Sequence, residues 1–209
     1  MIKGIKHIIF DLGGVILNID YALTQQAFIE AGIPKIKELY SQMQQSTIFD
    51  DLETGKIDTA AFVEAIKKVA PAPVTDEKII AAWNSLILDF PIRRLQILQQ
   101  LSLHYNLFLL SNTNEIHETA FNDVLMRTCG FPNIGVFFDK VYLSHRVGLR
   151  KPMKEIFELV LNENNLRPEE TLFIDDSPQH IEVAKSLGIQ TIWLEKGMTI
   201  EHDVFKKVQ

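Results

Sequence analysis

The chain has 209 residues, 46% of them apolar, and 21 basic against 27 acidic side chains give a net charge of −6. Such a composition describes one globular unit, or one with a small inserted module, that buries a core without staples. It excludes a disulfide scaffold, since Cys129 is the only cysteine, and a disordered or fibrous chain, since Gly and Pro number only 10 and 8.

The first predicted strand lies in residues 6–12, where His7-Ile8-Ile9-Phe10 forms a short apolar run that ends at Asp11 and turns on Gly13-Gly14. Asp11 also interrupts the apolar stretch that a signal peptide needs, so the expected location is cytoplasmic. Residues from about 20 to 89 read as helical, broken by turn signals at Gly32-Ile33-Pro34, Glu53-Thr54-Gly55-Lys56 and Pro71-Ala72-Pro73. Within them Asp58 is the expected N-cap of one helix and Thr75 or Asp76 of the next.

Beyond residue 90, helical and strand patterns alternate. A helix over 92–104 precedes a strand over 106–110 that runs into Ser111-Asn112, and a helix over 115–126 precedes a strand over 140–143. A helix over 153–164 follows, with Pro152 expected at its first position. The strand over 171–174 then ends in Asp175-Asp176, and a helix over 178–187 stops at Gly188 before a last strand over 190–194. This order predicts an α/β fold, a Rossmann-like doubly wound parallel sheet of five strands. Residues 1–17 and 90–209 form the expected core, and 18–89 an inserted α-helical cap.

Ligands of such sheets bind outside the carboxyl ends of the strands. Asp11, Ser111-Asn112 and Asp175-Asp176 all fall there, so three separate stretches converge on one edge. Carboxylates so gathered repel one another unless a cation lies among them, and an all-oxygen set points to Mg2+, which also takes water and substrate phosphate. Lys151, before the helix over 153–164, supplies positive charge for a phosphorylated small-molecule ligand. Ser111 and the backbone amides of the turn at Asn112 offer donors to phosphoryl oxygens. Asp11 is left as the nucleophile. The scattered basic residues and the lack of a long apolar run predict no nucleic-acid and no membrane partner, and nothing in the sequence fixes an oligomeric state.

The motifs Asp11-Leu12-Gly13-Gly14-Val15, Ser111-Asn112, Lys151-Pro152 and Asp175-Asp176-Ser177 resemble, in order and spacing, the four motifs of the haloacid dehalogenase superfamily. The stretches SNTNEIH, VYLSHRVGLRKP and FIDDSPQHIEVAKSLGI are similar to bacterial sugar phosphatases of the α-D-glucose-1-phosphate phosphatase kind. The resemblance implies a two-step reaction in which Asp11 attacks phosphorus, an aspartyl-phosphate forms, and water cleaves it. It implies metal ligation by Asp11, the Gly13 carbonyl and Asp176, with Asp175 bound through water or orienting the shell, and the two last roles can be exchanged.

The chain departs from the phosphatase pattern at Gly13, where that family normally carries a proton-transferring aspartate. Losing such a group typically costs about 10²- to 10⁴-fold in rate. A leaving group that needs little help, such as the anomeric oxygen of a sugar-1-phosphate or an acyl oxygen, offsets the loss. His117 is the nearest substitute acid or substrate contact, although a solvated helix position is the commoner reading of such a residue. An impaired phosphate-binding protein and a 2-haloacid dehalogenase are the alternatives. Arg150 is expected at the surface or facing the cap, residues 49–56 read either as a substrate contact or as an exposed cap loop, and His145 and His180 read as solvated helix residues.

Overall fold

Parallel pairing requires each connection to carry the chain back across the sheet, which the helices between the apolar runs provide. The computed structural model describes residues 2–34, 36 and 47–206. Its sheet contains β1 (His7–Phe10), β2 (Asn106–Ser111), β3 (Lys140–Leu143), β4 (Thr171–Asp175) and β5 (Gln190–Trp193), in the order β3-β2-β1-β4-β5. Every pairing is parallel.

Side chains alternate across the sheet and fill a layer on each face. Ile8, Phe10, Leu107, Leu109 and Ile174 belong to one buried cluster, and Ile9, Phe108, Leu110 and Phe173 to the other. The first is covered by α5 (Ile92–Leu101) and α6 (Glu115–Cys129), the second by α8 (Lys154–Glu163) and α9 (Pro178–Ser186). The short α7 (Ser144–Val147) follows β3 directly.

The segment between β1 and α5 contains α1 (Tyr21–Glu30), α2 (Thr47–Glu53), α3 (Thr59–Val69) and α4 (Asp76–Asn84). These helices bury a third apolar cluster of their own, including Phe28, Phe49, Phe62 and Trp83, which takes only Ile116 from α6. The helical reading of residues 35 and 37–46 lies outside the described residues. Asp58 caps α3 by accepting from the Ala61 amide at 2.8 Å, and Thr75, not Asp76, caps α4 by accepting from the Lys78 amide at 3.4 Å.

The two connectors to this segment run side by side. The Asn18 amide donates to the Asp89 carbonyl at 2.9 Å, and the Leu88 amide donates to the Asn18 carbonyl at 3.0 Å. Arg94 clamps them from the core: its guanidinium donates to the Asn18 side chain at 3.0 Å and pairs with Glu201 at 2.9 Å.

Observed strands match the expected ones to within a residue. Pro152 is the correction, because α8 starts at Lys154 with Met153 as its N-cap, and Pro152 follows a cis peptide bond in the preceding turn. No described helix is long and apolar enough to cross a membrane.

Candidate active site

Register alone assembles the centre. Phe10 lies level with Ile174, so the next residues, Asp11 and Asp175, emerge together, and the Asp11 amide is held by the Ile174 carbonyl at 3.0 Å. Lys151 is fully buried and donates from Nζ to Asp11 Oδ1 and to Asp175 Oδ2, each at 2.7 Å. An ammonium in this setting must be paired, because an unpaired buried charge would lose its proton.

The backbone at Lys151 is fixed from β2. Asn112 Nδ2 donates to the Lys151 carbonyl at 2.8 Å, and the Lys151 amide donates to Asn112 Oδ1 at 2.8 Å. The Asn112 side chain therefore holds the Lys151 backbone in place. Ser111 is buried, lines the cleft, and its hydroxyl has only a long 3.5 Å contact to the Asn112 carbonyl.

Asp175 is held from three sides. Besides Lys151, it accepts from the Ser177 amide at 2.7 Å and lies 2.9 and 3.0 Å from His180 Nδ1. Burial pushes its carboxyl up, but Lys151 and His180 outweigh burial and hold it down at about 2. The same two aspartates act on Lys151, whose ammonium is raised even though burial opposes the charge.

The other two carboxyls go the opposite way. Burial and then the Asp175 and Asp176 charges outweigh Lys151 and raise Asp11 to about 7, and burial and Asp175 raise Asp176 to about 6. Carboxylate oxygens of Asp11, Asp175 and Asp176 lie within 4.8 Å of one another. Three formal negative charges against one ammonium leave a deficit of positive charge, and the raised carboxyls express it. The donor set is all oxygen, which fits a hard divalent cation. Room is kept by Gly14, whose backbone is left-handed (φ +73°) and where a Cβ would stand 2.5 Å from Asp176 Oδ2.

At Gly13, where the acid is missing, the free end of the Ile19 side chain crowds the backbone. A Cβ there would meet Ile19 Cδ1 at 2.8 Å. His117 is not solvated as expected: it is buried, stacked on Trp83 at 4.6 Å, and both ring nitrogens are engaged, Nδ1 with Asn114 Nδ2 at 3.1 Å and Nε2 with the Trp83 carbonyl at 3.0 Å. Burial lowers it to about 4, so it is neutral at pH 7, and the ring joins α4 to the start of α6. Trp83 accordingly lies in the helical segment's core.

The cleft beside this centre measures about 540 Å³ and is lined from the core by Asp11, Gly13, Ser111, Lys151, Asp176 and His180. Across it stand Tyr21, Asp50 and Glu53. Of the two positions expected for Arg150, surface or cap-facing, the structure shows the second: it faces the helical segment, paired with Asp50 and, at 2.9 Å, with Glu53. Sequence reasoning missed His180; its signal was the five-residue spacing from Asp175, which returns the first turn of α9 over the end of β4. His145 pairs with Glu118 at 3.2 Å and does not line this cleft.

Fold and centre together define a parallel α/β protein whose strand-end carboxylates and buried lysine suit a divalent cation and an anionic ligand. Residues 5–188 match the haloacid dehalogenase-like hydrolases, and the chain belongs to that family. It is 34% identical over 193 residues to a D-ribitol-5-phosphate phosphatase of Bacteroides thetaiotaomicron, covering 92% of this chain and 93% of that protein. Among solved structures it resembles a haloacid dehalogenase-family enzyme of the same organism, crystallised as an aspartate-to-alanine variant with magnesium and inorganic phosphate. The TM-score is 0.88 at 36% identity, over 93% of this chain and 96% of that one. A hydrolase of the same family from Porphyromonas gingivalis matches with a TM-score of 0.82 at 30% identity, over 93% of each chain.

Proposed function

We propose that the protein is a magnesium-dependent phosphatase that acts on a small phosphorylated metabolite, a sugar or polyol phosphate, with Asp11 as the nucleophile. The observation that carries this is the Lys151 ammonium at 2.7 Å from both Asp11 and Asp175, beside an Asp176 carboxyl left short of positive charge. Asp11, the Gly13 carbonyl and Asp176 would hold the cation, and Asp175 would orient Lys151 from behind. When bound, Mg2+ supplies positive charge to the phosphoryl oxygens and keeps Asp11 ionised.

An Asp11 carboxylate oxygen attacks phosphorus as the bond to the leaving oxygen breaks, giving an aspartyl-phosphate. Water then attacks phosphorus, the bond to Asp11 breaks, and inorganic phosphate leaves with the carboxylate restored. Lys151 and the Ser111 hydroxyl face the charge on the transferred group. Position 13 carries no acid, and the neutral His117 is fully engaged, so the leaving oxygen draws its proton from water in the cleft. A sugar-1-phosphate suits this best. The D-ribitol-5-phosphate in the name of the Bacteroides relative is a primary ester, which widens the class to ordinary sugar and polyol phosphates.

The division into a core of residues 1–17 and 90–209 and a cap of 18–89 is part of this reading. It is supported by the separate apolar cluster of the helical segment and by the paired connectors. The segment acts as a cap that closes over the cleft and limits its exchange with bulk solvent.

Phosphate release from sugar, polyol, acyl and aryl phosphates, with magnesium and with chelator, tests the proposal. Asp11→Asn is expected to lose at least about 10³-fold in rate while keeping its circular dichroism spectrum. Near-normal turnover by the folded variant removes Asp11 as nucleophile. Magnesium-dependent binding without release would instead identify an impaired binding protein.

A further inference from the structure

We propose that Asp50, Glu53 and Arg150 set the substrate class of this site, admitting monophosphates with a neutral, hydroxyl-bearing tail and rejecting those whose tail carries a second anionic group. The inference rests on the phosphatase reading above and adds to it the part of the substrate that does not react.

The cleft has two ends. One is the carboxylate–lysine centre; the other is α2, which turns Asp50 and Glu53 toward the core. Arg150 meets them there, and as the chain neighbour of Lys151 it joins the two ends. Among the described lining residues, histidines aside, Arg150 and Lys151 are the only cations. Each is already shared between two carboxylates: Lys151 between Asp11 and Asp175, Arg150 between Asp50 and Glu53.

Charge balance decides the consequence. At the reacting end a divalent cation offsets the carboxylates and leaves the field that a phosphate needs. At the tail end two carboxylates against one guanidinium leave a formal −1. A second phosphate or a carboxylate entering there would meet net negative charge, because among the described residues both lining cations other than histidine are already shared between carboxylates and only the Arg150 Nε–H is left without a partner. Hydroxyl groups meet the opposite situation, since carboxylates with lone pairs left over after an arginine contact accept O–H donors. Glu53 and Arg150 are mostly shielded, with side-chain exposures of 11% and 22%, so salt screens them weakly.

The test compares paired substrates that differ by one anionic group: glycerol phosphate against phosphoglycerate, and a hexose monophosphate against a hexose bisphosphate. The wild-type enzyme with magnesium is expected to favour the neutral-tailed member of each pair by about tenfold or more in kcat/KM. Asp50→Asn and Glu53→Gln each remove one charge at nearly constant volume, and each is expected to shift the neutral-to-anionic ratio toward the anionic member by several-fold. Asp50 is half-exposed, so Asp50→Asn serves if Glu53→Gln fails to fold. Equal use of both members by the wild type, or a ratio unmoved in the folded variants, overturns the proposal. An activated aryl phosphate separates the two levels: its cleavage with unselective tails defeats only this inference, whereas no cleavage of it defeats the phosphatase reading and this inference together.

Discussion

At the residue scale, Gly13 shows how a missing side chain is read differently by sequence and by structure. The sequence reports an absent acid; the structure reports what a side chain there would displace, since Ile19 Cδ1, the free end of a half-buried side chain, lies 2.8 Å from where a Cβ would be. Restoring the carboxyl therefore requires room. Gly13→Asp alone is expected to speed cleavage of an alkyl phosphate relative to an aryl phosphate by less than Gly13→Asp with Ile19→Ala, which is expected to do so by about tenfold or more. Rates for the two leaving groups measured in both variants check this, and an equal change for both would show that protonation at position 13 is not limiting.

At the element scale, α6 is tied to α4 through His117. Asn114 caps α6 by accepting from the His117 amide at 3.0 Å, and the His117 ring reaches the Trp83 carbonyl. Burial holds the ring neutral down to about pH 4, against about 6.5 for an exposed histidine. Between those values the unfolded chain binds the proton and the folded chain does not. The stability that follows is fully present above about pH 6.5 and is lost as pH falls toward about 4, by roughly 3 kcal/mol in total. Denaturant midpoints at pH 7 and pH 5 are expected to fall more steeply for the wild type than for His117→Gln. Parallel slopes would mean that protonation of this ring does not govern the junction.

At the scale of the whole molecule, the carboxylate cluster stores repulsion that a cation relieves. A raised carboxyl binds its proton more tightly folded than unfolded, so without metal Asp176 costs stability as pH rises from about 4 through about 6, and the full cost stands at pH 7. Two effects follow. Magnesium is expected to raise the Tm of the wild type in proportion to the logarithm of its concentration above Kd. Asp176→Asn is expected to be the more stable protein in chelator, by on the order of 2 kcal/mol, and to lose most of the magnesium response. Melting curves of both proteins with and without magnesium decide this, and a variant that still gains the full shift would place the cation elsewhere.

The strand runs, their polar ends and the four motifs were legible in the sequence because each is local: an apolar stretch must be buried, and a parallel sheet gathers strand ends on one edge. That was enough to bring Asp11, Ser111, Lys151, Asp175 and Asp176 forward as candidates and to point to a cation. Contacts between residues far apart in the chain were not legible, because no local pattern records them. Only the tertiary structure turned the Asn112 side chain onto the Lys151 backbone, placed Ile19 against Gly13, buried His117 on Trp83 and brought Asp50 and Glu53 to Arg150. Periodicity specifies which elements form and which face is buried, while the partners of a polar side chain depend on how those elements meet. The chemistry at the strand ends was thus set by sequence, and the tail end of the cleft by packing.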